Sequence, residues 1–350
     1  MKRCRVVLYT LPLAFAIGTA AVTAAPAMAA GPAPSAAPAK DQAAAGWLAR
    51  QMTGRSHFVT VFNGSKFANQ GLTIDAILAF AATHSASDYA GRAVIWLQKP
   101  SVLTGYIGDK KNGFFAGATA KVALAAEVSG ISPVSFGKTN LIARLGTLLT
   151  KSGRYSDQSS FGDFSNAFSQ SLAILALSRH GGAPANAVGF LVRSECSDGG
   201  FPLNFAQKTC VSDPDATGMD VQALLAAGRT AAAARGLRWL AKDQRSDGGF
   251  ASSATTAPNA NSTGLAGQAL AAGHWTRRAA QAGKFLLGLQ VGCSATASHR
   301  GAIAFDASGF KPSTAVTATP QGILGIADVP MWKLSSHGAK SGAPRLGCAS

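Results

Sequence analysis

Residues 239–273, WLAKDQRSDGGFASSATTAPNANSTGLAGQALAAG, read as helix, glycine turn, polar loop and helix. Trp239-Leu240 ends the first helix and Gln244 follows it. Asp247-Gly248-Gly249-Phe250 turns the chain, and Ser262-Thr263 opens a second helix over Leu265–Ala272. Fifty residues earlier the unit recurs as Phe190-Leu191, Ser197-Asp198-Gly199-Gly200-Phe201, Asp215-Ala216-Thr217 and Val221–Ala227. A helix pair repeated at such a period cannot bury its apolar face alone and must stack on its neighbours. A stacked array of helix pairs is therefore the expected architecture.

Six landmarks extend the pattern along the chain: Trp47-Leu48, Trp96-Leu97, Leu148-Leu149, Phe190-Leu191, Trp239-Leu240 and Phe285-Leu286. Their spacings are 49, 52, 42, 49 and 46 residues. Gln51, Gln98, Gln244 and Gln290 each follow a landmark closely. A second helix series lies between: Gly71–Ala82, Thr119–Val128, Ala167–Ser178, Gly218–Ala227, Gly264–Ala272 and Gln321–Ala327. These are almost wholly apolar, with Ala, Leu and Gly at most positions, whereas the landmark helices, such as Ala44–Met52 and Arg229–Lys242, are amphipathic. A helix apolar all round is buried and an amphipathic one covers a core, which predicts two concentric layers. No segment keeps the period-two alternation of a sheet. Gly-Gly allows the tight reversal, the glutamines can bond backbone groups of a neighbouring helix, and Thr217, Thr263 and Thr319 are expected as N-caps of inner helices.

The Gln244…Asp247-Gly248-Gly249-Phe250 pattern resembles the glutamine–tryptophan type repeat of the terpenoid cyclase and protein prenyltransferase superfamily, with Phe250-Ala251 where that repeat usually ends in an aromatic. The match is strong in repeats four and five and weak in one, three and six. The resemblance implies an all-α fold, an (α/α)6 toroid of six helix pairs, assigned to residues 41–334. Secreted cobalamin carriers and complement thioester domains also use that fold. The tail from Ser335 is too short for the β domain of a cobalamin binder, and no Cys-Gly-Glu-Gln run is present.

Lys2, Arg3 and Arg5, the apolar run Val6–Ala16 and Ala27-Met28-Ala29 read as a secretory signal over residues 1–29. A flexible Pro/Ala-rich leader over residues 30–40 follows. No later stretch is apolar for long enough to span a bilayer, so a secreted chain without a transmembrane anchor is expected. Four cysteines then remain, Cys196, Cys210, Cys293 and Cys348. An even number in an exported chain favours disulfides. Three pairings are possible, and Cys196–Cys210 with Cys293–Cys348 is the expected one; the last pair would tether residues 335–350. Without a Cys-x-x-Cys pair a zinc site is not expected, and no cofactor is called for. The formal charge of +16 falls to +13 once Lys2, Arg3 and Arg5 are removed. The basic residues are scattered, without the dense stripe of a nucleic-acid binder; an anionic cell-envelope polymer is a candidate partner.

Acids are scarce, and Asp213-Pro214-Asp215-Ala216-Thr217 is the one cluster. It resembles the DxDDT motif of class II terpene cyclases, which implies Asp213 in the first position and Asp215 as the proton donor; Ala216 stands in place of the last aspartate. The competing role for Asp213 and Asp215 is to cap a helix and complement its dipole. Prenyltransferase zinc chemistry lacks its histidine, and His84, His180 and His274 each follow an inner helix, where a C-terminal structural role is expected. No Gly-x-Ser-x-Gly elbow or phosphate loop occurs. Asp75, Lys121, Gln170, Asp220, Gln222 and Gln268 are polar positions on inner helices, candidates either for lining a ligand cavity or for bonding between helices. With the acidic motif incomplete, a non-catalytic protein binding an apolar small molecule or the cell envelope is the leading expectation. The alternative is an extracytoplasmic terpenoid cyclase-like or prenyl-substrate enzyme with Asp215 as general acid.

Overall fold

The computed structural model describes residues 39–348; the expected signal and nearly all of the leader lie outside them. Among the described residues the chain forms thirteen α-helices and five short strands. Six helices form the inner layer: α2 (Gln70–Ala82), α5 (Ala116–Val128), α7 (Ala167–Arg179), α9 (Pro214–Ala226), α11 (Ala260–Ala272) and α13 (Pro312–Ala327). Each packs on the next, and α13 returns to α2, closing a ring. Seven others lie outside it: α1 (Lys40–Arg50), α3 (Ser87–Leu97), α4 (Pro100–Ile107), α6 (Leu141–Leu148), α8 (Ala185–Arg193), α10 (Thr230–Asp243) and α12 (Thr276–Gly288).

Glycines bring the inner helices together. A Cβ on Gly264 of α11 would stand 2.2 Å from the Gln321 carbonyl oxygen of α13, and one on Gly218 of α9 would meet the backbone at Leu265 of α11. Gly218 opposite Leu265, and Gln222 opposite Gln268 one turn on, show that neighbours run parallel in near register. The helix N-termini therefore share one end of the ring.

The repeat has a common internal wiring. In the Asp-Gly-Gly-Phe turns the first glycine takes a positive φ, 93° at Gly199 and 92° at Gly248, which only glycine adopts freely. The second lies beneath the next landmark aromatic, so a Cβ on Gly200 would be 2.8 Å from the Trp239 ring and one on Gly249 2.8 Å from Phe285. Phe201 and Phe250 are fully buried behind the turn. Gln244 donates to the Gly248 carbonyl and to that of Arg278 on α12, both at 2.9 Å. Gln290 does the same for Gly301 and for Lys40 of α1, closing the outer layer.

Three expectations are corrected. Thr217, Thr263 and Thr319 do not cap: they lie inside the helices, and each hydroxyl accepts the backbone N–H of a residue in the preceding loop, Phe201, Phe250 and Ile303. The caps are Asn69, Asn166, Asp213 and Asn259, one turn earlier. Except for α7, which begins at Ala167 as expected, the inner helices begin earlier than expected, α13 by nine residues because it continues through Pro320. Short antiparallel pairing occurs where loops enter the ring: β1 (Phe58–Phe62) with β2 (Ser65–Asn69), and β3 (Gly108–Asp109) with β4 (Gly113–Phe114) and β5 (Gln158–Ser159).

After α13 the chain passes over the C-terminal ends of the inner helices in turn. Gln222 and Gln268 hold the backbone at Met331 and Val329, Arg179 meets the Trp332 carbonyl, Ser336 bonds Val128, and Lys340 bonds His84. Arg50 of α1 then donates to the carbonyls of Ala343 and Pro344. Met331 and Leu334 are buried beneath this strap, and its end is tied by Cys293–Cys348. The second disulfide, Cys196–Cys210, closes the loop that leads into α9. No helix among the described residues is long and apolar enough to cross a membrane.

Candidate functional site

Asp213 and Asp215 open α9, and Pro214 at its first position presets the helical φ. Asp213 is the N-cap: its Oδ1 accepts the Ala216 N–H at 2.8 Å, and burial raises its pKa. Asp215, one residue into the helix, is turned toward α11, where Ser262 is its neighbour. Its Oδ1 is buried without a hydrogen-bond partner. Burial pushes the carboxyl up to about 6; the Ser262 hydroxyl works against this and the charge of Asp213 adds to it. A carboxylic acid so placed keeps its proton up to a pH of about 6, well above the ordinary aspartate range, which suits a general acid.

The six polar inner-helix residues do not form one site. Asp75 of α2 and Lys121 of α5 make an ion pair of 2.7 Å. Burial alone would lower the Lys121 pKa, but Asp75 and the Tyr106 hydroxyl outweigh it and the pKa is raised. Tyr106 of α4 was not singled out by the sequence; it is held over Gly71, and burial raises its pKa. Asp75 and Lys121 lie in the N-terminal halves of α2 and α5, and α2 stands on the side of the ring opposite α9.

The remaining four bond other protein groups, and Asp220 Oδ2 is buried without a partner. Gln170 faces outward, accepting the Tyr155 N–H and donating to Gly153 and Ala187, all at 2.9 Å. A turn carbonyl and the first turn of the next outer helix are the targets that Gln244 and Gln290 reach, so an inner-helix Gln170 supplies the bond that the Leu148-Leu149 repeat lacks. Gln222 and Gln268 bond each other at 3.0 Å and hold the C-terminal strap. Asp220 is fully buried, accepts the Ser171 hydroxyl of α7, and is raised well above the ordinary aspartate range by burial. His84 and His274 occupy left-handed positions at inner-helix ends, and His180 Nδ1 is 2.8 Å from Glu127.

Two grooves flank the disulfide-braced loop outside the ring. One, of about 700 Å³, is lined by Asp213, Trp239, Lys242, Asp243 and Arg245. The other, of about 580 Å³, is lined by Arg154, Phe190, Arg193 and Phe205. Asp215 lines neither.

A ring of parallel inner helices within an outer layer defines an α/α toroid, the fold shared by terpenoid cyclases and protein prenyltransferases. Among solved structures, the unliganded type II terpene cyclase MstE from Scytonema superposes with a TM-score of 0.62, at 15% identity, over 83% of this chain and 98% of its own. A protein from Actinoplanes gives 0.59, at 17% identity, over 83% and 99% of the two chains. Protein geranylgeranyltransferase-I from Candida albicans, complexed with GGPP, gives 0.51 at 10% identity, over 76% and 89%. No protein-family model and no curated protein sequence matches the chain.

Proposed function

We propose that this protein is a terpenoid cyclase-like enzyme that protonates an unsaturated prenyl chain, with Asp215 as the acid. The reading rests on one observation, the buried Asp215 carboxyl with an unpartnered oxygen and a pKa of about 6. It is supported by the fold, which is that of a cyclase solved with geranylgeranyl dihydroxybenzoate as its substrate. The proton of Asp215 would pass to one carbon of an alkene, leaving a cation on the more substituted carbon and a carboxylate on the enzyme. Ring closure and loss of a proton from the product complete the cycle, and the carboxylate regains its proton from solvent. Asp213 acts by positioning: as N-cap it fixes the first turn of α9, and its charge adds a little to the effect of burial on Asp215.

The architecture behind this reading is six helix pairs, α4 being an addition beside α3. We assign the protein to an oxidising, extracellular setting, in accord with two disulfides. The test is Asp215→Asn, assayed with geranylgeranyl-type substrates by mass spectrometry of organic extracts. A cyclised product is expected from the wild type and none from the variant, with unchanged circular dichroism; equal product from both would overturn the assignment. Non-catalytic binding of an apolar molecule is the second reading. It is favoured by Asp213 being engaged as a cap and by Ala216 where a third carboxylate would stand. It predicts a stoichiometric apolar molecule in extracts of both proteins, chemically unchanged.

A further inference from the structure

Large apolar side chains exposed to solvent are concentrated at one end of this molecule. Val61, Phe62, Phe67, Phe161, Phe164 and Val211 are each 55–69% exposed. Val61, Phe62 and Phe67 belong to the β1–β2 hairpin that runs into α2. Phe161 and Phe164 follow β5 on the way into α7, and Val211 lies in the disulfide-braced loop into α9. β5 also pairs with β4, so the loops entering α5 and α7 form a single sheet. The six side chains therefore share the end of the ring that carries the inner-helix N-termini, in the loops that enter α2, α7 and α9. The opposite end is covered by the C-terminal strap.

Four lysines on these loops make no ion pair among the described residues. Lys66, Lys110, Lys111 and Lys208 are exposed. Of the acids between them, Asp109 accepts the backbone N–H groups of Lys111 and Asn112, Asp163 is paired with Arg154 at 3.0 Å, and Asp157 accepts the N–H groups of Ala116 and Phe164. Phenylalanines on separate protruding loops, interleaved with lysines, suit a layered and deformable surface. The rings can enter an apolar layer while the ammonium groups stay with anionic headgroups above it. A rigid protein partner would instead call for a continuous, shape-complementary core patch.

We propose that this end of the ring docks on a lipid bilayer bearing anionic headgroups, inserting the hairpin Phe62 and Phe67 and the loop Phe161 and Phe164 with the four lysines at headgroup level. Docking there would present the ring end that holds Asp215 to apolar molecules dissolved in the bilayer. The interaction stands independently of any turnover by Asp215.

The test is flotation of the oxidised chain from residue 30 onward with vesicles of phosphatidylcholine, with and without phosphatidylglycerol, so that the apolar run Val6–Ala16 does not itself bind the vesicles. Binding is expected to rise with phosphatidylglycerol and fall with salt. The combined Phe62→Ser, Phe67→Ser, Phe161→Ser and Phe164→Ser variant should bind at least ~10-fold more weakly, and Lys66→Gln with Lys110→Gln and Lys111→Gln should lose the phosphatidylglycerol-dependent part. Ile95→Ser with Val134→Ser, two exposed apolar sites elsewhere, should bind as the wild type does. Equal binding by the phenylalanine variant, or no binding by the wild type, would overturn the proposal. So would self-association in light scattering that needs the same phenylalanines while nothing floats, since the occupant would then be a second copy. Because no substrate is involved, an inert Asp215→Asn result leaves this outcome unaffected.

Discussion

At the scale of single residues, carboxyl groups and glutamines divide into chemistry and scaffolding according to what they touch. Asp215 has a native pKa raised from 3.8 to about 6, so between those values the folded chain holds more protons than the unfolded one. Stability from this group is present below the ordinary value and is lost as the pH rises through about 6. The loss is of the order of 2–3 kcal/mol at most, lessened by the partial exposure of the residue. Asp215→Asn should therefore melt at a higher temperature than the wild type at pH 8 and show less advantage at pH 4, as read by thermal denaturation. In turnover assays, a protonated Asp215 predicts activity that falls above pH of about 6. Gln170 makes the opposite case. Gln170→Met strands the Tyr155 N–H and two carbonyls and should cost about 1–3 kcal/mol in urea denaturation; a ligand-lining residue would leave stability nearly unchanged. The candidacy of Gln170 for a cavity came from its place on an apolar helix. Its role depends on which way the helix is rotated, and periodicity does not give that for a helix apolar on every side.

At the scale of elements, close approach decides which glycines matter. Gly264→Ala must separate α11 from α13, where its Cβ would stand 2.2 Å from the Gln321 oxygen. A loss of about 1–3 kcal/mol is expected, as for overpacking. Gly91 lies within α3 with nothing near its Cβ position, so Gly91→Ala should gain about 0.5–1 kcal/mol from helix propensity alone. Denaturant midpoints of the two variants should move in opposite directions. The alternation of the helices and their two classes were legible in the sequence because amphipathic and wholly apolar stretches differ in composition. Their starts were less so: Asn259 and Asp213 cap a turn earlier than the apolar residues begin, and polar first turns look like loops.

At the scale of the whole molecule, the strap after α13 ties the ring into one unit, since its contacts visit α11, α9, α7, α5, α2 and α1. Replacing both Cys293 and Cys348 by Ser frees its end and should lower stability by about 2–4 kcal/mol. Amide hydrogen exchange over residues 329–344 should accelerate in that variant while α5 and α9 remain protected; uniform exchange across the chain would mean that the strap is held without the covalent tie.

The repeat of landmark aromatic, glutamine and Asp-Gly-Gly-Phe turn was enough to determine helix pairs in two layers, because glycine torsions and burial of an apolar helix are local requirements. An even number of cysteines pointed to disulfides, with Cys196–Cys210 the expected brace of one loop among three possible pairings. Only the tertiary structure decided that α13 returns to α2, that Gln222 and Gln268 serve the C-terminal strap, and that Asp215 keeps an unpartnered oxygen while Asp213 beside it is engaged as a cap. These outcomes depend on helix rotation and on segments far apart in the chain, and the free energy of burying one carboxyl is set by neighbours such as Ser262 on another helix.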